Sequence, residues 1–215
     1  MKKMKIIYED KYIIAVNKPS GILSVSTEKE KIRTLFHEVL EYEKKKNKNN
    51  KVFIINRLDK DTSGIMIFAK DMKIKKYFQD NWEKFDRKYI AIVEGNVKKI
   101  EDEIRSYLKE TKTLLTYSSK DKNGKLAITK YKKIKNNNLY SMLEITILTG
   151  RKNQIRVHMN DIGNPIIGDK KYGAKTNPIR RLGLCAHKLS FIHPISKQKI
   201  DLEISIPQEF KKIFE

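Results

Sequence analysis

Apolar residues in this chain fall into short runs whose period changes along the sequence. Residues 6–8 and 12–16 alternate around the polar turn Glu9-Asp10-Lys11 and predict two strands. Leu35, Phe36, Val39 and Leu40 share one face of a helix predicted over 34–44. Ile74, Tyr77, Phe78 and Trp82 recur at helical spacing behind Asp71, which predicts a capped helix with a core-facing stripe. Residues 87–95 read as a strand with Tyr89, Ala91 and Val93 on one face and Ile90 and Ile92 on the other. The stretch 104–148 is β-rich, with 126–134 and 139–148 predicted to pair across Asn136-Asn137-Asn138. A helix is predicted over 153–162, stopped by Gly163, with Ile155, Met159 and Ile162 buried. Strands over 184–194 and 200–206 and a terminal helix from Pro207 close the chain.

One stretch combines strand signals with reactive side chains. Ile54 and Ile55 enter it, Asn56-Arg57-Leu58-Asp59-Lys60-Asp61-Thr62-Ser63-Gly64 follows, and Ile65–Phe68 leaves it. The reading is a strand that delivers Arg57 and Asp59 to a tight turn formed by Thr62-Ser63-Gly64, with Leu58 packed behind. A loop held at both ends by strands places a carboxylate accurately, as catalysis requires. The same residues also fit an exposed turn with a local ion pair, worth under about 1 kcal/mol.

Charge sharpens the picture. Forty-seven Lys and Arg against twenty-six Asp and Glu give a formal net charge of +21, which suits a polyanionic partner. Only eight of the cations are arginine, against thirty-nine lysines, and arginine supplies a planar, always-charged fork that lysine lacks. The run Lys44-Lys45-Lys46-Asn47-Lys48-Asn49-Asn50-Lys51 reads as a mobile, solvated cationic loop. No apolar run reaches the length of a spanning helix, and the basic N-terminus leads into a strand pattern without a signal-peptide core. The single cysteine, Cys185, has no internal partner for a disulfide and fits a reducing cytoplasm. Asp59 and Asp61 are flanked by Arg57 and Lys60, and Cys185, His158, His187 and His193 lack ligand spacing, so no metal is expected.

Several separated blocks together resemble the RluA family of RNA pseudouridine synthases. Asn56–Gly64 is similar to its H-R-L-D-x-x-T-S-G signature, Asn17–Gly21 to N-K-P-x-G, and Lys88–Gly95 to K-Y-x-A-x-V-x-G. Gly150–His158 matches G-R-x-x-Q-I-R-V-H, Gly163–Gly173 matches G-x-P-I-x-G-D-x-x-Y-G, and Arg181–Pro194 matches R-L-x-L-x-A-x-x-L-x-F-x-H-P. The blocks occur in the family's order over nearly the whole chain. Asn56 and Cys185 stand where the family commonly has histidine.

The resemblance implies an α+β pseudouridine synthase fold: a mixed, mostly antiparallel central sheet, flanking helices and a basic active-site cleft. It implies a single catalytic domain over residues 1–215, without the added N-terminal RNA-binding module of some relatives. It assigns catalysis to Asp59, with Tyr89 as the ring against the target uracil and Arg156 as the partner of Asp59. Arg57 would fill the place the flipped nucleotide leaves, and Lys18, Arg151 and Gln154 would contact RNA. The implied protein is a cytoplasmic, monomeric isomerase of ribosomal or transfer RNA that needs no cofactor. A non-catalytic RNA-binding or ribosome-assembly protein on the same fold is the alternative.

Overall fold

The computed structural model describes residues 4–26, 28, 30 and 32–215; of the opening basic run, residues 1–3 lie outside it. The chain forms two compact units, one from residues up to Phe85 together with Ala186–Ser205, the other from Asp86–Cys185 together with Ile206–Glu215.

The first unit contains β1 (Lys5–Glu9), β2 (Ile13–Lys18), α1 (Leu35–Lys46), β3 (Phe53–Ile54), β4 (Ser63–Ala69), α2 (Met72–Asn81), most of β10 (Leu184–Ile192) and β11 (Lys199–Glu203). Its strands run in the order β1-β2-β4-β10, with β3 on β4 and β11 on β10. β1–β2, β2–β4, β3–β4 and β10–β11 are antiparallel. Every residue of β4 is buried, and Ile13, Ile65, Ile67, Phe78, Phe191 and their neighbours form the core. Burial of one such side chain contributes about 1.5–3 kcal/mol. Both helices begin as their sequences dictate. The Thr34 hydroxyl accepts the His37 N–H at 3.2 Å, and the Asp71 carboxylate accepts the Lys73 N–H at 2.7 Å.

The lysine run is not a loose loop. α1 extends through Lys46, and the following turn is closed by Asn47 N–H to the Glu43 carbonyl and Asn50 N–H to the Asn47 carbonyl. Buried Glu43 accepts Lys46 at 2.9 Å, Lys70 at 3.0 Å and the Asn50 amide at 3.1 Å, so one lysine of the run is spent on a folded charge network. Periodicity missed this because the network partner, Lys70, is distant in sequence.

The second unit contains β5 (Asp86–Glu94), β6 (Glu101–Glu110), β7 (Thr116–Ser119), β8 (Lys125–Asn136), β9 (Tyr140–Ile147), α3 (Gln154–Asp161) and the short terminal α4 (Gln208–Lys211). Its strands run β5-β9-β8-β6-β7, each pair antiparallel. Ile155 and Met159 of α3 pack with Ala91, Val93 and Ile145 of the sheet, and Gly163 at φ 76° terminates the helix segment as predicted.

Candidate active site

Backbone anchoring fixes the turn that carries Asp59. β3 is only two residues long; Ile55 N–H then reaches the Ile67 carbonyl at 3.1 Å and regular pairing ends. Asn56 continues the pairing with its side chain: Oδ1 accepts the Ile67 N–H at 2.9 Å and Nδ2 donates to the Ile65 carbonyl at 3.3 Å. Next, the Ser24 hydroxyl accepts the Leu58 N–H at 3.1 Å and donates to the Leu58 carbonyl at 2.6 Å. Leu58 is buried, Arg57 is exposed and Asp59 is half-buried, the alternation expected from sequence. The turn itself closes with Thr62 N–H on the Asp59 carbonyl at 3.2 Å.

Lys18 stands apart from its predicted role. It is fully buried, and its ammonium donates to the carbonyls of Ile22 at 2.7 Å, Lys60 at 2.8 Å and Pro19 at 3.1 Å. Gly21 N–H also reaches the Lys60 carbonyl, at 2.9 Å, and the Ser20 hydroxyl donates to the Asp61 carbonyl at 2.6 Å. A wholly buried ammonium with this much of its donor capacity occupied by carbonyls does not face a phosphate, so Lys18 is an anchor for the Asp59 turn rather than an RNA contact.

Gly64 takes the positive φ that its sequence suggests, but within a strand rather than in the turn. The turn is complete by Thr62, and Ser63 and Gly64 already belong to β4. Gly64 has φ 121°, and a Cβ there would lie 2.2 Å from the Ala186 carbonyl oxygen. Its lack of a side chain lets β10 pass close to β4.

In the second unit, Tyr89 sits half-buried on β5, opposite Ile145, and packs beside Ala91 and Val93 as predicted. Gln154, expected to touch RNA, is buried and committed inside the protein. Its Oε1 accepts the Thr149 hydroxyl at 2.8 Å and the Arg151 N–H at 3.0 Å; its Nε2 donates to the Thr129 hydroxyl at 2.9 Å and the Ile128 carbonyl at 3.0 Å. With both ends of the amide doubly bonded, Gln154 locks the start of α3 to the sheet instead of reading a ligand. Arg151 is half-buried and donates from Nε to the Leu126 carbonyl at 2.9 Å.

Arg156 projects from the first turn of α3 into a socket. Its Nε and Nη2 donate to the two oxygens of Asp169, each at 2.7 Å, and Nη1 donates to Asn153 Oδ1 at 3.1 Å. The guanidinium carbon lies 4.9 Å from the centre of the Tyr172 ring, and the Tyr172 hydroxyl accepts from Asn153 Nδ2 at 3.0 Å. Asp169 and Tyr172 are buried. Gly168 before them has φ 76°, and a Cβ there would fall 2.3 Å from the Arg181 carbonyl. Nothing in the local pattern marks Asp169, Tyr172 and Asn153 as socket residues, although the first two lie within Gly163–Gly173, which matches a family motif. Behind the helix, buried His158 bonds the Ser106 and Thr129 hydroxyls at 3.0 and 2.8 Å. Burial pushes its imidazole down to about 4, with Asp161 opposing.

The model of the RNA pseudouridylate synthase family matches residues 12–161, which include the Asp59 turn, Tyr89 and Arg156. The chain belongs to the RNA pseudouridine synthases, in the RluA family. It is 34% identical over 217 residues to the ribosomal large subunit pseudouridine synthase D of Borreliella burgdorferi, covering 97% of this chain and 66% of that protein. It is 31% identical over 247 residues to the tRNA pseudouridine synthase C of Haemophilus ducreyi, covering 99% of this chain and 95% of that one. The solved human RNA pseudouridylate synthase domain containing 4 superposes with a TM-score of 0.79 at 21% identity, over 96% of this chain and 90% of that one, which fixes the α+β fold. The protein is accordingly an RNA-directed isomerase that converts uridine to pseudouridine. Among the described residues no helix is long and apolar enough to cross a membrane.

Proposed function

We propose that this pseudouridine synthase acts on uridines of large-subunit ribosomal RNA, transfer RNA or both, and that Asp59 is its catalytic carboxylate. The observation that carries the assignment is the anchoring of the Asp59 turn: Lys18, Ser20, Ser24 and Asn56 hold it through the backbone atoms of Leu58, Lys60 and Asp61 and of β4. A half-buried carboxylate on a turn fastened in this way keeps its position while substrate binds.

The reaction breaks the bond between uracil N1 and ribose C1′, forms a bond from C1′ to C5, and releases the C5 proton while N1 gains one. Atoms and electrons balance within the nucleotide, so the reading includes neither cofactor nor metal. In it, Asp59 attacks C1′ or takes an adjacent ribose proton, and Arg156 favours the ionised form of Asp59 by opposing its charge. Tyr89 offers its ring to the detached uracil and its hydroxyl to the proton exchange at C5. Exposed Arg57 fills the gap left when the uridine leaves its stack, and Arg151 contacts the backbone. The whole of residues 1–215 acts as one catalytic module, a cytoplasmic monomer.

The test is the Asp59→Ala variant with unmodified transcripts of both RNA classes, tritiated at uridine C5. Tritium release is expected to fall about 10³-fold or more while RNA affinity stays within a few-fold of wild type. Wild-type release by that variant removes Asp59 from the chemistry. Mapping of pseudouridine at nucleotide resolution in cells with and without the protein identifies the modified positions.

A further inference from the structure

We infer that Asp169 is a positioning residue for catalysis, acting solely through Arg156, with Tyr172 and Asn153 completing the device. The inference rests on the reading that Arg156 serves the reaction at Asp59. An arginine side chain carries several rotatable bonds and about 2 kcal/mol of rotamer entropy, so an unsupported guanidinium samples many placements. Here three directions are fixed at once. Asp169 grips the Nε edge through two parallel bonds of 2.7 Å, Asn153 holds Nη1 at 3.1 Å, and the Tyr172 ring backs the plane at 4.9 Å.

The socket is itself rigid. The Asp169 N–H donates to the Ile166 carbonyl at 3.0 Å, while the Asp169 carbonyl accepts the N–H of Tyr172 at 3.0 Å and of Ala174 at 3.1 Å. Gly168, at positive φ and against the Arg181 carbonyl, sets the angle at which Asp169 enters. These contacts use three of the five N–H donors of Arg156 and fix the plane and direction of the guanidinium, including the Nη1–Nη2 edge that shares Nη2 with the Asp169 grip. An ion pair buried on one side only for structure is weak evidence of stability, since an apolar pair of equal volume serves as well. A planar bidentate clamp adds what an apolar pair cannot, a fixed direction for a charge.

A double-mutant cycle between Asp169→Asn and Arg156→Ala tests this, read by single-turnover tritium release from the transcripts above, by RNA affinity and by thermal unfolding. Asp169→Asn alone is expected to slow the single-turnover rate about 10–100-fold, the cost of misplacing a catalytic partner by roughly 1 Å. RNA affinity is expected to change by less than about 3-fold, since the Asp169 side chain is buried against Arg156. In the Arg156→Ala background, Asp169→Asn is expected to cost no more than about 2-fold further, because its only route to the reaction is gone.

Equal rate losses in both backgrounds mean a general structural role and overturn the inference, as does a wild-type rate in Asp169→Asn. Should Asp169→Asn fail to fold, Asn153→Gly replaces it in the cycle: it keeps the positive φ of 54° at that position and removes only the Nη1 acceptor and the bond to Tyr172. The same non-additivity with Arg156→Ala, at about 3–10-fold, supports the inference, and additive losses overturn it. Activity in Asp59→Ala defeats the underlying assignment of the carboxylate; loss there with a wild-type rate in the socket variants defeats the positioning role alone.

Discussion

The Lys18 ammonium lies 2.8 Å from the carbonyl oxygen of Lys60, the residue directly after Asp59. A charge that the sequence offers to RNA is thus turned inward, where it satisfies carbonyls that the irregular backbone around Asp59 leaves without strand partners. Lys18→Met is expected to destabilise the protein by about 3 kcal/mol, from several carbonyls losing one charged donor. Activity should fall with it, while the salt dependence of RNA affinity stays that of wild type, because no phosphate contact is removed. Chemical denaturation and RNA titrations at several salt concentrations check both halves.

Gly64→Ala is expected to be among the most damaging single-methyl additions in the chain. The new Cβ meets the Ala186 carbonyl at 2.2 Å and the backbone is held at φ 121°. Strand separation and backbone strain together cost more than about 3 kcal/mol. Soluble yield and the unfolding midpoint report the loss.

His158 makes stability sensitive to mild acid. Its folded imidazole titrates at about 4 against an ordinary 6.5, because burial disfavours the cation. The unfolded chain therefore takes up this proton first, and the stability it contributes is complete above pH 6.5 and lost as pH falls toward 4. The full difference is about 3 kcal/mol. His158→Gln should flatten that part of the curve of unfolding free energy against pH, measured by urea titration at each pH.

A second acid step belongs to Glu9. Burial raises its carboxyl, but hydrogen bonds from Lys46, Lys70 and Tyr42 outweigh this and hold it down to about 2. Its folded value lies below the ordinary 4.5, so its contribution is present above pH 4.5 and disappears as pH drops through that window toward 2. Lys70→Met removes a partner of both Glu9 and buried Glu43, and is expected to cost roughly 3 kcal/mol at neutral pH. Thermal unfolding across pH 2–7 separates this step from that of His158.

Periodic signals carried most of the fold. The helices behind Thr34 and Asp71, strand β5 with its Tyr89 face, and the β8–β9 pair lie within a few residues of their predicted bounds, because each rests on local pattern and local caps. What the pattern missed depends on distant partners. Gly64 looks like a turn glycine until Ala186 is seen against it; Gln154 looks like a polar reader until Thr129 and Thr149 enclose it. Lys44–Lys51 looks like loose polyelectrolyte until Glu43, Lys70 and Asn50 are placed together. Residue type alone does not separate an anchor from a contact; burial does.

Lysine is the commonest cation here, and amine-acylating reagents modify it wherever water reaches. Lys18 is out of reach while its carbonyl cage is shut. Its acylation therefore has to wait for the cage to open, so labelling at this one position becomes a clock for the motion that releases the loop bearing Asp59.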